Sequence, residues 1–296
     1  MRFGIDLGGT KTEILALDKG GAIRLRRRIA TPRDYASLLH ALAELVSGAE
    51  QELGTRASVG MAIPGSESFG TNLIKNANTT YLIGRPLRLD LEQALAQPVR
   101  LANDANCFAL SEASDGAGKG AGTVFGVIAG TGVGGGVVVD GKVLGGAHGV
   151  GGEWGHNPLP APSVEEVNNA PLCYCGKRGC LEVWCSGPGL AADFKRATGR
   201  NASAEEIAGS DGAEERAAMD RLIDRFARAT AAMVNILDPD VIVVGGGLSN
   251  VKRLYRDLPP LVEKYGFNLG GLPRIVKNMH GDSSGVRGAA WLWPEA

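Results

Sequence analysis

Short apolar runs punctuated by glycine set the pattern of the N-terminal region. Arg2–Leu7 reads as a buried strand, Gly8-Gly9-Thr10-Lys11-Thr12 turns tightly, and residues 13–17 return as a second strand before the turn Asp18-Lys19-Gly20-Gly21. The same order recurs later. An apolar strand, Gly126-Val127-Ile128-Ala129, leads into the tip Gly130-Thr131-Gly132-Val133-Gly134-Gly135-Gly136, and Val137-Val138-Val139 returns to the turn Asp140-Gly141. Such internal duplication predicts two related halves.

Between the two hairpins the period changes. Tyr35, Leu38, Leu39, Leu42, Leu45, Val46, Ala49 and Leu53 recur at three- and four-residue steps, which predicts an amphipathic helix capped near Asp34. Ser58–Ile63 is an apolar strand ending in Pro64-Gly65-Ser66, and residues 99–102 form another, ending in Asn103-Asp104-Ala105-Asn106. Farther on, Ala213–Leu237 carries Ala217, Leu222, Ile223, Phe226, Ala229, Met233 and Ile236 as one buried stripe of a long helix. Residues 241–244 follow as a fully apolar strand, then a third tip, Gly245-Gly246-Gly247. A short helix over 288–293 is expected to pack back on the first domain. Residues 157–172, proline-rich and aperiodic, read as a long loop that covers a bound substrate or meets a partner subunit.

Composition narrows the class. A chain of 296 residues can fold as two domains with a cleft between them, and a net charge of -1 leaves no electrostatic footprint for nucleic acid or an anionic membrane. A small-molecule function is favoured. No run approaches the ~18 apolar residues a membrane span needs, and Met1-Arg2-Phe3-Gly4-Ile5-Asp6 lacks a signal-peptide layout, so the expected compartment is the cytoplasm. The cysteines number five, three of them clustered too tightly for a disulfide framework, with Cys107 and Cys185 left as packing residues.

The glycine tips suit phosphate. Main-chain N–H groups can converge on an anion there, Thr10 and Thr12 add hydroxyl donors, and Lys11 adds charge, while Asp6 at the strand end could hold a magnesium ion through water. Two such hairpins can grip a polyphosphate from opposite sides of a cleft, as a nucleotide triphosphate requires. The third tip, Gly245-Gly246-Gly247, is flat enough to admit an adenine ring or ribose, and equally serves as a structural turn. Gly130-x-Gly132-x-x-Gly135 matches the dinucleotide fingerprint in letters only, since a strand follows it where that fingerprint opens a helix. Gly281-Asp282-Ser283-Ser284-Gly285 reads as a helix-capping turn.

His156 together with Cys173, Cys175 and Cys180 makes a four-ligand set of the kind tetrahedral zinc prefers, and a closed set implies a structural metal. Two acids flank it, Glu153 and Glu182, so fixing the metal fixes both acids as a substrate clamp. Asp104, at a strand's carboxyl end between the amides Asn103 and Asn106, is placed to take an alcohol proton as a phosphoryl group arrives, and is equally placed to cap the following helix.

With these residues assembled, the chain resembles the ROK family of sugar kinases across essentially its whole length. The motifs carrying the likeness are Asp6-Leu7-Gly8-Gly9-Thr10-Lys11, Asn103-Asp104-Ala105-Asn106, the 130–136 glycine run, Glu153-Trp154-Gly155-His156, the Cys173–Glu182 knuckle and Gly245-Gly246-Gly247. Within the family it is similar to the bacterial fructokinase/mannokinase branch, through Thr31-Pro32-Arg33-Asp34-Tyr35, Lys75-Asn76-Ala77-Asn78, Asn157-Pro158-Leu159-Pro160 and residues 280–290.

The resemblance implies an α/β fold of the actin-like ATPase (ribonuclease H-like) kind, duplicated into two domains about an interdomain cleft. Residues 1–118 with a C-terminal helix 283–296 would form the smaller one, and 119–282 the larger, zinc-bearing one. It implies ATP- and Mg2+-dependent phosphorylation of a hexose 6-hydroxyl, fructose first and mannose also. Other family members act on N-acetylglucosamine, N-acetylmannosamine or glucose, which is the alternative. A non-catalytic sugar sensor is the alternative of another class, disfavoured by the intact Asp104 and by a phosphate hairpin that begins at Arg2, where sensors place a helix-turn-helix. By matching position Asp104 is the base; Gly65, Asn78, Asn103, Asp104, Glu153, His156 and Glu182 line the sugar; Asp6, Gly8 to Thr12, and Gly130, Thr131, Gly132, Gly134 and Gly135 hold phosphates. Zn2+ sits on His156 and the three cysteines, and similar kinases are homodimers.

Overall fold

The computed structural model describes residues 1–267 and 270–294; residues 268–269 and 295–296 of the expected domain ranges, and the side chain of Asp282, lie outside the described residues. Two five-stranded sheets repeat one design. In the first, Arg2–Leu7 (β1) pairs antiparallel with Lys11–Leu17 (β2), which pairs antiparallel with Ile23–Ala30 (β3). On its other side β1 runs parallel to Ser58–Ile63 (β4), and β4 runs parallel to Val99–Asn103 (β7); the small ladder Ser66–Glu67 (β5) with Ile74–Lys75 (β6) lies between them in sequence. The second sheet uses Thr123–Ala129 (β8), Val133–Val139 (β9), Lys142–Val143 (β10), Val241–Gly245 (β11) and Arg274–Lys277 (β12) in the matching order β10-β9-β8-β11-β12. The sequence duplication is therefore a duplication of topology.

The helices are Tyr35–Leu53 (α1), Leu87–Leu95 (α2), Asp104–Ser114 (α3), Val164–Asn168 (α4), Leu181–Cys185 (α5), Gly187–Thr198 (α6), Ala204–Gly209 (α7), Ala213–Leu237 (α8), Lys252–Tyr265 (α9) and Ser284–Trp291 (α10). Contacts divide the chain into two compact units. One holds Met1–Gly120, Gly136–Gly152 and Asp282–Ala296, and the other Ala121–Gly135 and Glu153–Gly281. None of the helices, among the described residues, is long and apolar enough to cross a membrane.

Strand alternation decides how the first sheet is covered. Phe3, Ile5 and Leu7 of β1 join Leu38, Leu42, Val46 and Ala49 of α1 in one core, as period-2 and period-3.6 faces must when each buries the other. Asp34 caps α1 by accepting from the Ser37 N–H at 2.9 Å, and Gly54 ends it at φ 62°. The opposite face of β1 presents Gly4, paired in register with Gly60 of β4. There α10 lies so close that a Cβ on Gly4 would stand 2.0 Å from the Val286 carbonyl oxygen, and one on Gly60 1.9 Å from that of Ala289. Small residues thus let a helix backbone rest on the sheet, and α10 packs on the first unit as expected.

Some sequence expectations shift. The 157–172 loop contains α4, closed by a capping box between Ser163 and Glu166. Glu166 also accepts from Arg225 Nε and Arg228 Nη2, both at 2.8 Å, so buried arginines of α8 hold the loop by charge and apolar periodicity gave no sign of it. The middle of the predicted α8 stripe, Leu222, Ile223, Phe226 and Ala229, is buried, and the stripe differs at its ends, where Ala217 and Ile236 are exposed and Ala218, Met219 and Val234 are buried instead. Cys107 and Cys185 are fully buried, as packing residues should be.

Candidate active site

In the first unit the predicted residues gather at the carboxyl ends of the parallel strands β1, β4 and β7, the edge where α/β sheets place ligands. After β1, the Gly8 N–H donates to the Lys11 carbonyl at 3.0 Å and closes the tip, leaving Gly9, Thr10 and Lys11 exposed. Thr12 differs from expectation. It is buried, its hydroxyl 2.9 Å from that of Thr31, which in turn donates to the Gly8 carbonyl at 2.7 Å, so Thr12 braces the turn from beneath and does not present its hydroxyl at the tip.

At the end of β7 the capping question resolves. Asn103 is the N-cap of α3, accepting from the Ala105 N–H at 2.9 Å, and its Nδ2 donates to the Gly65 carbonyl at 3.2 Å. Asp104 is the first helical residue, and its Oδ1 also accepts from the Ala105 N–H at 2.8 Å. Its side chain is exposed, yet the surrounding protein desolvates it enough to raise its carboxyl above the ordinary aspartate range. Exposure keeps the carboxylate reachable, and the upward shift makes it a better proton acceptor. Burial, followed by the charge of Asp104, pushes Asp6 up to about 6, an arrangement a divalent cation would relieve. Gly65 adopts φ 81° and approaches β6 so tightly that a Cβ would lie 2.4 Å from the Lys75 carbonyl oxygen. Asn78, just beyond, is exposed and accepts from the Thr79 hydroxyl at 3.4 Å. Asn106 is buried in α3 with no partner for its Oδ1 among the described residues.

In the second unit three predicted clusters form one body. The Gly130 N–H donates to the Gly132 carbonyl at 2.9 Å, and a Cβ on Gly130 would meet the Gly247 nitrogen at 3.6 Å, so the second and third glycine tips adjoin. Thr131, Gly246 and Gly247 are exposed there, whereas Gly135 and Gly245 are buried within their strands. Glu182 joins the tip to the knuckle: its Oε2 accepts from the Val133 N–H at 3.2 Å, and a Cβ on Gly132 would strike that oxygen at 2.6 Å. Its Oε1 lies 3.9 Å from Cys173 Sγ.

Trp154 sets the position of Glu153 and His156. It is buried, edge-on to Phe125 of β8 at 5.3 Å and to Phe226 of α8 at 5.8 Å, and its indole N–H donates to the Gly134 carbonyl at 2.9 Å. Sequence reading missed this anchor, although the Trp between two site residues was its signal. Glu153 is exposed.

His156 Nδ1 lies 3.7 Å from Cys173 Sγ, Cys175 Sγ lies 3.6 Å from Cys180 Sγ, and the ligand atoms of all four residues lie within 4.8 Å of one another. Tetrahedral zinc with thiolate bonds sets ligand edges of about 3.7 Å. The donor set and its spacing fit Zn2+. The Nε2 of His156 turns instead to the Tyr174 hydroxyl at 3.0 Å.

The ROK family pattern matches residues 2–296. The chain belongs to the ROK family. It is 39% identical to the N-acetyl-D-glucosamine kinase of Yersinia pseudotuberculosis, over 99% of this chain and 98% of that protein. It is 41% identical to that of Vibrio cholerae, over 99% of each. Among solved structures, the ROK hexokinase of Thermus thermophilus is 32% identical and superposes with a TM-score of 0.85 over 98% of this chain and 97% of that one. The fold is thus the two-domain α/β, actin-like fold of ROK sugar kinases. These similarities run through N-acetyl-D-glucosamine kinases, which corrects the expected placement in the fructokinase/mannokinase branch: that placement rested on short loop motifs, while these identities span the chain.

Proposed function

We propose that the protein is an ATP-dependent kinase that transfers the γ-phosphoryl group to the 6-hydroxyl of N-acetyl-D-glucosamine. The observation that carries this reading is the identity of 39% and 41%, over nearly full length, to kinases named for that sugar. Fructose, the first expectation, becomes the lesser candidate.

Asp104 accepts the hydroxyl proton as the oxygen attacks phosphorus, a role favoured by its exposure and its raised proton affinity. Asn103, spent on capping α3 and on Gly65, orients the helix start and the turn that faces the sugar. Glu153 and Glu182 bind sugar hydroxyls, with Asn78 and Gly65 completing the sugar contacts, while both ring nitrogens of His156 are engaged, with Cys173 and Tyr174. Gly8, Gly9, Thr10 and Lys11 on one hairpin, and Gly130, Thr131, Gly132 and Gly134 on the other, hold phosphate oxygens through N–H groups, hydroxyls and the lysine charge. Gly246 and Gly247 border the nucleoside. When bound, Mg2+ shields phosphate charge and Zn2+ ties His156 to the cysteines. Asp6 would hold the first, and His156, Cys173, Cys175 and Cys180 would hold the second.

A coupled ADP-release assay over N-acetylglucosamine, N-acetylmannosamine, glucose, mannose and fructose tests the reading. The highest kcat/KM is expected on N-acetylglucosamine. A tenfold preference for fructose would reject the substrate, and no turnover on any hexose would reject the kinase.

A further inference from the structure

Tyr174 stands between two of the metal-ligand cysteines and has no assigned role. Its side chain is 82% exposed, a large apolar ring left in water although the segment around it is rigid. The Cys173 N–H donates to the Lys177 carbonyl at 2.8 Å and the Gly176 N–H to the Cys173 carbonyl at 3.0 Å, so the loop that carries the ring is closed on itself. The ring meets His156 edge-on at 5.1 Å, and Glu182 Oε1 lies 3.9 Å from the Sγ of the adjacent Cys173. An exposed aromatic held in place on the segment that carries a proposed sugar-binding acid has its ordering entropy already spent, and gains when a ligand covers it.

The hydrogen-bond direction adds a second constraint. A metal held on Nδ1 beside the sulfurs would leave Nε2 as the protonated nitrogen of His156, which would donate to the Tyr174 oxygen. The phenol proton is then left to point outward. It needs an acceptor that sits beside an apolar group, because the ring lies next to it.

We propose that Tyr174 recognises the acetamido group of the sugar, the phenol donating to its carbonyl oxygen and the ring packing its methyl. This rests on the N-acetylglucosamine reading above and deepens it, since glucose has neither group. The experiment compares kcat and KM on N-acetylglucosamine and on glucose for the parent protein, Tyr174→Phe and Tyr174→Ala, with bound zinc measured on each.

Tyr174→Ala is expected to lower kcat/KM on N-acetylglucosamine about tenfold, through KM, and to change it on glucose less than about twofold at unchanged metal content. Tyr174→Phe, which keeps the ring and loses the donor, should fall between parent and Ala. Equal loss on both sugars, loss of metal with activity, or an unmoved ratio of the two sugars each overturns the proposal. A parent protein that prefers glucose overturns the substrate reading itself, and that outcome is read without any variant.

Discussion

The two sheets share strand order and hairpin plan but differ in what the chain splices into them. Between β3 and α1 the first has only residues 31–34, and the proposed base, Asp104, comes after β7, at the start of α3. Between β10 and α8 the second carries residues 144–212, which hold Trp154, the knuckle and four short helices, α4 to α7. Function on a duplicated scaffold therefore resides in the splices. The first copy supplies Asp104, whose carboxyl desolvation raises, and Asp6, raised by burial and by the charge of Asp104; the second supplies Glu182, which bridges the glycine tip and the Cys173 end of the knuckle. On the proposed reading, electrostatics shapes what the first copy contributes and metal coordination what the second contributes.

The sharpest way to break this contrast is Asp104→Asn. Removing the proposed base should reduce kcat by about 10^3 while sugar affinity, measured by calorimetry, moves little, because the loss is felt in the transition state. Turnover within tenfold of the parent would take the acid out of the first half-site.

Gly288→Ala probes how the first half-site is supported. An added Cβ would stand 1.7 Å from the Cys107 carbonyl oxygen of α3, where backbone must shift, and we expect about 3 kcal/mol of destabilisation in urea unfolding. An unchanged midpoint would show that α10 does not seat α3.

Asp6→Asn sharpens the electrostatic side. Burial favours the neutral acid and raises its pKa from 3.8 to about 6, so the native state binds this proton more tightly than the unfolded chain. That contribution is fully present below pH about 4 and is lost as pH rises through about 6. The permanently neutral Asn should then be more stable than the parent at pH 7 by about 3 kcal/mol, with most of the difference lost by pH 4. A pH-independent difference would contradict the shift.

The smallest effect tests the coordination side. Cys175→Ser should lower zinc content and raise the sugar KM together, about tenfold, since the three cysteines and Glu182 share one short segment. A zinc-poor variant with unchanged KM would uncouple knuckle from sugar.

Much of this was legible in the residues. Hydrophobic period placed α1 and α8, β1 and β4, because helix and strand faces repeat at fixed steps, and the duplicated glycine hairpins announced the repeated topology. Ligand type and spacing assembled His156 with the three cysteines, because metal chemistry restricts its donors. Other elements were not legible. Strand β3 carries Arg24, Arg26, Arg27 and Arg28, and reads as polar because its place is an edge paired on one side. The placement in the fructokinase/mannokinase branch was corrected for a related reason: sugar choice depends on a few contacts that short motifs shared by many kinases do not encode, and the relatives at 39% and 41% identity favour the N-acetylglucosamine alternative.

Local chemistry, then, was settled by the chain alone: which segments turn, which bury a face, which residues suit phosphate, proton or metal. Tertiary structure decided who meets whom. It placed Asn103 rather than Asp104 on the helix cap, turned Thr12 inward, set Glu182 against the Val133 N–H and brought Tyr174 to His156. These are pairings between residues as many as 49 positions apart, and only packing, which no local period records, selects among them.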